Sequence, residues 1–183
     1  MAALTVPDIK RAADALIGHD DLQPLLTLFQ AEGQTRAQED HMQKHLGVWL
    51  ATAAAAHVRQ GTLDLATVTR RFGTALFAMT DTALTVAVEN FQHALIAVNP
   101  ELAEGGVNLD AGRTRPRVSQ ATFDLISDVL ARHPDYDLNQ KQALVRGLMA
   151  MAPSEKKSAP SLGARLGQAP VSMPASTSPG FRR

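Results

Sequence analysis

No cysteine occurs in the 183 residues, which excludes disulfide scaffolds, thiolate metal centres, iron–sulfur clusters and thiol nucleophiles before any pattern is read. Aromatic residues make up only 4% of the chain, so the stacking platforms that hold single-stranded nucleic acid are scarce. Net charge is also missing: 18 Lys and Arg balance 18 Asp and Glu. The chain is therefore neither a uniformly basic arm nor an acidic disordered polymer. Long apolar runs are absent too. The window 46–58 is too short to span a bilayer, and the window 80–98 carries Asp81, Glu89, Asn90, Gln92 and His93. The first residues lack the basic start and apolar run of a secretory signal, so a cytoplasmic address with no membrane span is expected.

The zero charge conceals a division. Residues 1–152 hold 13 Lys and Arg against 17 Asp and Glu, a net of −4, whereas residues 153–183 hold 5 against 1, a net of +4. That last segment is built from Pro, Ser, Ala and Gly and has few large apolar residues to offset the ~1–2 kcal/mol per residue of backbone ordering. It reads as a basic, disordered C-terminal tail following a helical domain over 1–152.

Within that domain, start and stop signals outline six or seven helices, an all-α irregular bundle. Thr5, Pro7 and Asp8 open a helix that Gly18 is expected to close, and a second, from Asp20 or Asp21 to Gly33, carries Leu22, Leu25, Leu26, Leu28 and Phe29. Thr35 with Gln38 forms a capping box for a long helix ending at Gly61. On it His41, His45, Val48, Trp49 and Thr52 are expected to share a side, with Trp49 as a packing anchor. The run Ala53 to Ala56 permits a close neighbour. Leu63, Leu65, Val68, Phe72, Leu76 and Met79 mark the next helix, and Thr80–Thr82 either caps a new one or kinks it. Leu84, Val88, Phe91, Leu95 and Val98 then repeat as a buried seam. Residues 99–118 form a long Gly/Pro/Arg loop. A terminal helical hairpin follows, one helix capped by Ser119 and the other by Asp137 with Gln140.

Few chemical constellations emerge. His41 and His45 stand four apart on one helix, the spacing of two zinc-binding histidines, but Met42 sits where a metalloprotease needs its glutamate. Glu89 and His93 form a second i,i+4 pair, and Asp40 or His57 are further conceivable recruits to a metal site. The expectation is nevertheless that these groups do not form one: no metal, no cofactor. Di-iron bundles need Glu-x-x-His motifs and more carboxylates than the long helices supply. The glycine-rich phosphate loops and the serine-hydrolase elbow are missing, so no catalytic residues are assigned.

Two features point instead to an acidic partner. Arg113, Arg115 and Arg117 alternate in the loop, and Lys156, Lys157, Arg165, Arg182 and Arg183 punctuate the tail. The apolar groups Leu25, Leu28 and Phe29, or Leu148, Met149 and Met151, are candidates for a seam that receives a helix or a second copy. The chain is thus expected to be a non-enzymatic protein–protein interaction or assembly module, self-associating or bound to an acidic protein. A nucleic-acid-binding accessory protein or regulator is the alternative, through the same cations and through Gln140, Lys141, Gln142 and Arg146 if the hairpin is a helix-turn-helix. A metal-dependent helical enzyme comes third, and it requires His41 or His45 to meet His93 or Glu89.

Overall fold

The computed structural model describes residues 5–30, 34–105, 116–133 and 135–154. The chain divides into two units, Met1–Pro153 and Ser154–Arg183. The tail from residue 155, and with it the expectation of disorder, lies outside the described residues.

Among the described residues the first unit is all-α: α1 Val6–His19, α2 Gln23–Phe29, α3 Arg36–Gln60, α4 Leu65–Leu76, α5 Asp81–Val98, a 3-10 turn Pro100–Leu102, α6 Gln120–Ala131 and α7 Leu138–Met149. Most starts follow the expected chemistry. Thr35 Oγ1 accepts from the Gln38 N–H while Gln38 Oε1 accepts from the Thr35 N–H. Asp137 and Gln140 repeat that exchange at α7, and Asp64, Thr80 and Ser119 each accept one backbone N–H. Thr80 thus caps a new helix rather than kinking an old one. Two helices differ from expectation: α2 is shorter at both ends, running from Gln23 to Phe29 and not from Asp20 or Asp21 to Gly33, and α1 continues through Gly18, with Asp20 in the left-handed position at φ 58°. Asp is among the few non-glycine residues that tolerate this conformation.

The centre of the bundle is α5. It runs alongside α3 in the same direction, because the Thr80 N–H donates to Gln43 Oε1 (2.8 Å) at one end and Asn99 Nδ2 donates to the Ala55 carbonyl (3.2 Å) at the other. Midway, a Cβ placed on Gly47 would stand 2.8 Å from the Ala87 Cβ, so the two backbones approach as only glycine permits. On its adjacent flank α5 meets α7. Gln92 Nε2 donates to the Gly147 carbonyl (2.9 Å), Thr85 Oγ1 donates to the Ala143 carbonyl (3.1 Å), and a Cβ on Gly147 would lie 2.8 Å from both Thr85 O and Val88 Cβ.

The buried face of α3 is Met42, Gln43, Leu46, Gly47, Leu50, Ala51, Ala54 and Ala55. His41, His45, Val48 and Thr52 share the opposite side, as expected, and it faces outward. Small residues surround this helix, so alanines gave no contrast between faces, and the side chosen by α5 is the one bearing Gly47. Trp49 is half-buried at the margin of the core, with the Lys10 ammonium 5.5 Å from its ring centroid.

The terminal helices do not form the expected hairpin. α6 leans mainly on α4 and α7 on α5, with only slight contact between α6 and α7. The cause lies in the connector, where His133 stacks between Phe77 and Tyr136 at 5.7 Å and 5.0 Å. The Tyr136 hydroxyl also donates to the Gly73 carbonyl (3.2 Å), so the turn is pinned to α4. Burial raises the Tyr136 phenol above its ordinary pKa, leaving it a neutral donor. The helix-turn-helix alternative loses its geometry as well, since its two helices are not a packed pair.

Candidate functional site

α7 has two faces. Gln140, Ala143, Leu144, Gly147 and Leu148 turn inward, and Leu138, Lys141, Gln142, Val145, Arg146 and Met149 turn outward at spacings of three, one, three, one and three. The outer set is a complete helical stripe of its own. Three of its members are apolar and exposed, Leu138 by 72%, Val145 by 57% and Met149 by 61%. Beside them Lys141, Gln142, Val145 and Arg146 border a shallow hollow of about 440 Å³. Among the described residues neither Lys141 nor Arg146 has an ion-pair partner, and α7 contains no acidic residue.

This helix is held firmly. Gln140 Nε2 donates to the Phe77 carbonyl (2.7 Å), tying the first turn to the end of α4, so it is not a free base-reading side chain. At the other end the Val118 N–H donates to the Met151 carbonyl (3.2 Å), and Arg117 Nη1 donates to the Ala152 carbonyl (3.2 Å). The long loop is closed at the same place. Ala103 and Val118 form an isolated antiparallel bridge, the Glu104 N–H donates to the Arg117 carbonyl (2.8 Å), and Ile96, Ala103, Val118 and Met151 bury one another beneath it. The loop that carries the arginines therefore begins and ends beside the C-terminus of α7.

Of the cations expected to meet an acidic partner, Arg117 is thus partly engaged in tying the loop base. Arg113, Arg115, Lys156, Lys157, Arg165, Arg182 and Arg183 lie outside the described residues. The two apolar groups considered as seams resolve differently. Leu25 and Leu28 are buried in the core with Phe29 packed against it; Leu148 and Met151 are buried, and only Met149 faces solvent. Leu138 and Val145 are exposed on the same helix on which Leu144 is buried, a difference that residue type alone does not announce.

A second concavity, of about 450 Å³, opens between α4 and α6, bordered by Thr67, Arg70, Gly73, Val129, Arg132 and His133. Its arginines are already neutralised, Arg70 by Asp20 at 3.3 Å and Arg132 by Asp128 at 2.7 Å. A smaller hollow of about 270 Å³ beside Pro116 contains Glu89, Asn90 and His93.

The histidines fall into separate places. His41 and His45 lie together on the outer side of α3, with Nε2 atoms 3.1 Å apart and rings edge to face at 4.4 Å. His57 Nδ1 is bonded to Thr62 Oγ1 (2.7 Å), and Asp40 is occupied by Lys44 (2.7 Å) and Thr80 (3.3 Å). No group of three or more His, Asp or Glu side chains placed to hold a metal exists among the described residues, so His41 and His45 do not join His93 or Glu89. No helix among them is long and apolar enough to cross a membrane.

The fold and this face define a class, an all-α bundle with an open basic and apolar helix face. Set against family models, curated proteins and solved structures, the chain matches none of them.

Proposed function

We propose that this chain is a non-enzymatic helical interaction module whose outer α7 face receives an acidic amphipathic helix from a partner protein. The observation that supports this is the outer stripe itself: Leu138, Val145 and Met149 exposed in line with two cations, Lys141 and Arg146, that have no ion-pair partner among the described residues. Helix-in-groove recognition uses apolar anchors at such spacings, and Met adapts well to a partner's shape. The charges select the partner. A second copy docking by the same face would bring Lys141 and Arg146 against their own counterparts, a like-charge contact that disfavours isologous pairing. A helix with Glu or Asp beside its apolar anchors meets both requirements.

The test is a fluorescence-anisotropy titration of full-length protein with a panel of acidic amphipathic helical peptides and, in parallel, with duplex and single-stranded DNA. Peptide binding that is lost in Val145→Asp and Met149→Asp and weakened in Lys141→Glu supports the reading. Binding to DNA alone, with affinity falling steeply with salt and unaffected by Val145→Asp, would replace it with the nucleic-acid alternative. Light scattering adds a third arm, in which an oligomer broken by Val145→Asp assigns the face to self-association instead.

A further inference from the structure

From the convergence of two rings on α3, we infer that His41 and His45 are a two-nitrogen chelate for a divalent transition-metal ion, with copper(II) preferred. Their Nε2 atoms stand 3.1 Å apart on the exposed side of the helix. Two imidazole nitrogens bound at ~2.0–2.1 Å to one ion lie about 2.9 Å apart at a right angle and about 3.4 Å apart at the tetrahedral angle. The observed separation falls inside that interval, so the two nitrogens already stand at chelating distance.

The backbone beneath is already fixed. The Thr35–Gln38 capping box closes the start of α3, and Met42, Gln43 and Leu46, between the two histidines and one residue beyond them, are buried against the bundle. Two ligands on one rigid helix act as a single bidentate group, the second nitrogen binding at a high effective concentration. Without metal the rings share one proton through an Nε2–H···Nε2 hydrogen bond. With metal the donor ring carries that proton on Nδ1 instead, and each Nε2 gives its lone pair to the ion.

The surroundings choose the ion. The nearest carboxylate in the sequence, Asp40, is held by Lys44 and Thr80, leaving no third protein ligand in place among the described residues. Structural zinc wants four protein ligands, whereas copper(II) accepts a tetragonal set completed by water and ranks highest among the divalent first-row ions. The pair lies on α3 and the proposed docking face on α7, so the two readings stand or fall separately.

Copper(II) titrated into metal-free, untagged, full-length protein tests this by calorimetry and electron paramagnetic resonance. One equivalent with a two-nitrogen signature is expected. His41→Ala and His45→Ala are each expected to weaken binding about a hundredfold, with unchanged helical circular dichroism, and His93→Ala is expected to leave it intact. Equal affinity in the His41→Ala/His45→Ala double variant, or a one-nitrogen spectrum in the native protein, would overturn the assignment.

Discussion

α5 and α7 both carry apolar residues on more than one side, yet they end in opposite situations. α5 is covered on two flanks, by α3 through Gly47 and by α7 through Gly147, and Leu84, Val88, Phe91 and Leu95 are all fully buried. α7 has one such neighbour, and its second stripe faces solvent. Apolar residues around a helix do not by themselves mean core or interface. What decides is whether the chain supplies a second helix, and for α7 the described residues supply none.

The sharpest way to probe the covered side is Phe91→Ala, which removes a ring stacked on Phe72 at 4.2 Å and is expected to cost ~3–5 kcal/mol in urea denaturation. Next come Gly147→Ala and Gly47→Ala. Overpacking costs ~1–3 kcal/mol and the helix-propensity gain of Ala over Gly returns ~1 kcal/mol, so both variants should lose stability, because backbone or β-carbon atoms of α5 block the new methyl. Gly18→Ala is the contrasting substitution: its nearest neighbour is the far end of the His57 ring at 3.4 Å, so a gain of up to ~1 kcal/mol is expected. On the open side, Val145→Asp and Met149→Asp should shift stability by no more than ~0.5 kcal/mol while abolishing peptide binding. A large loss of stability there would mean that the face is covered after all.

The smallest effect concerns acid. The hydrogen bond from the Thr5 hydroxyl lowers the Asp8 pKa, the Lys44 ammonium lowers that of Asp40, and the Thr67 backbone N–H lowers that of Asp64. A depressed folded value contributes stability above the unfolded value of ~3.9 and loses it as pH falls through the folded one. Denaturation midpoints should therefore hold from pH 7 to about pH 5 and decline toward pH 2, modestly because all three groups are solvent-screened. Asp64→Asn should flatten part of that decline.

Much of this was legible in the sequence. The caps at Thr35, Ser119 and Asp137, and the seam of Leu84, Val88, Phe91 and Leu95, declare themselves by residue type and spacing. What was hidden depends on contacts between distant residues. Gln43 and Gln92 are buried because they bond to the Thr80 N–H and the Gly147 carbonyl, partners that no local pattern announces. The Ala-rich α3 offered no contrast between faces, and α6 parts from α7 because Tyr136 is pinned to Gly73, 63 residues away. For the candidate site, the cations were visible but the split of α7 was not. Leu144 and Val145 are neighbours of equal hydrophobicity, and only the position of α5 sends one inward and the other out.

The most direct test is a 1H–15N correlation spectrum of the full-length protein titrated with an acidic amphipathic helical peptide. The account predicts shifts concentrated at Leu138, Lys141, Gln142, Val145, Arg146 and Met149, with the amides of α3 and α5 unmoved. Shifts centred on the α4–α6 concavity at Arg70 and Arg132, or no shifts at millimolar peptide while the protein remains folded, would contradict it.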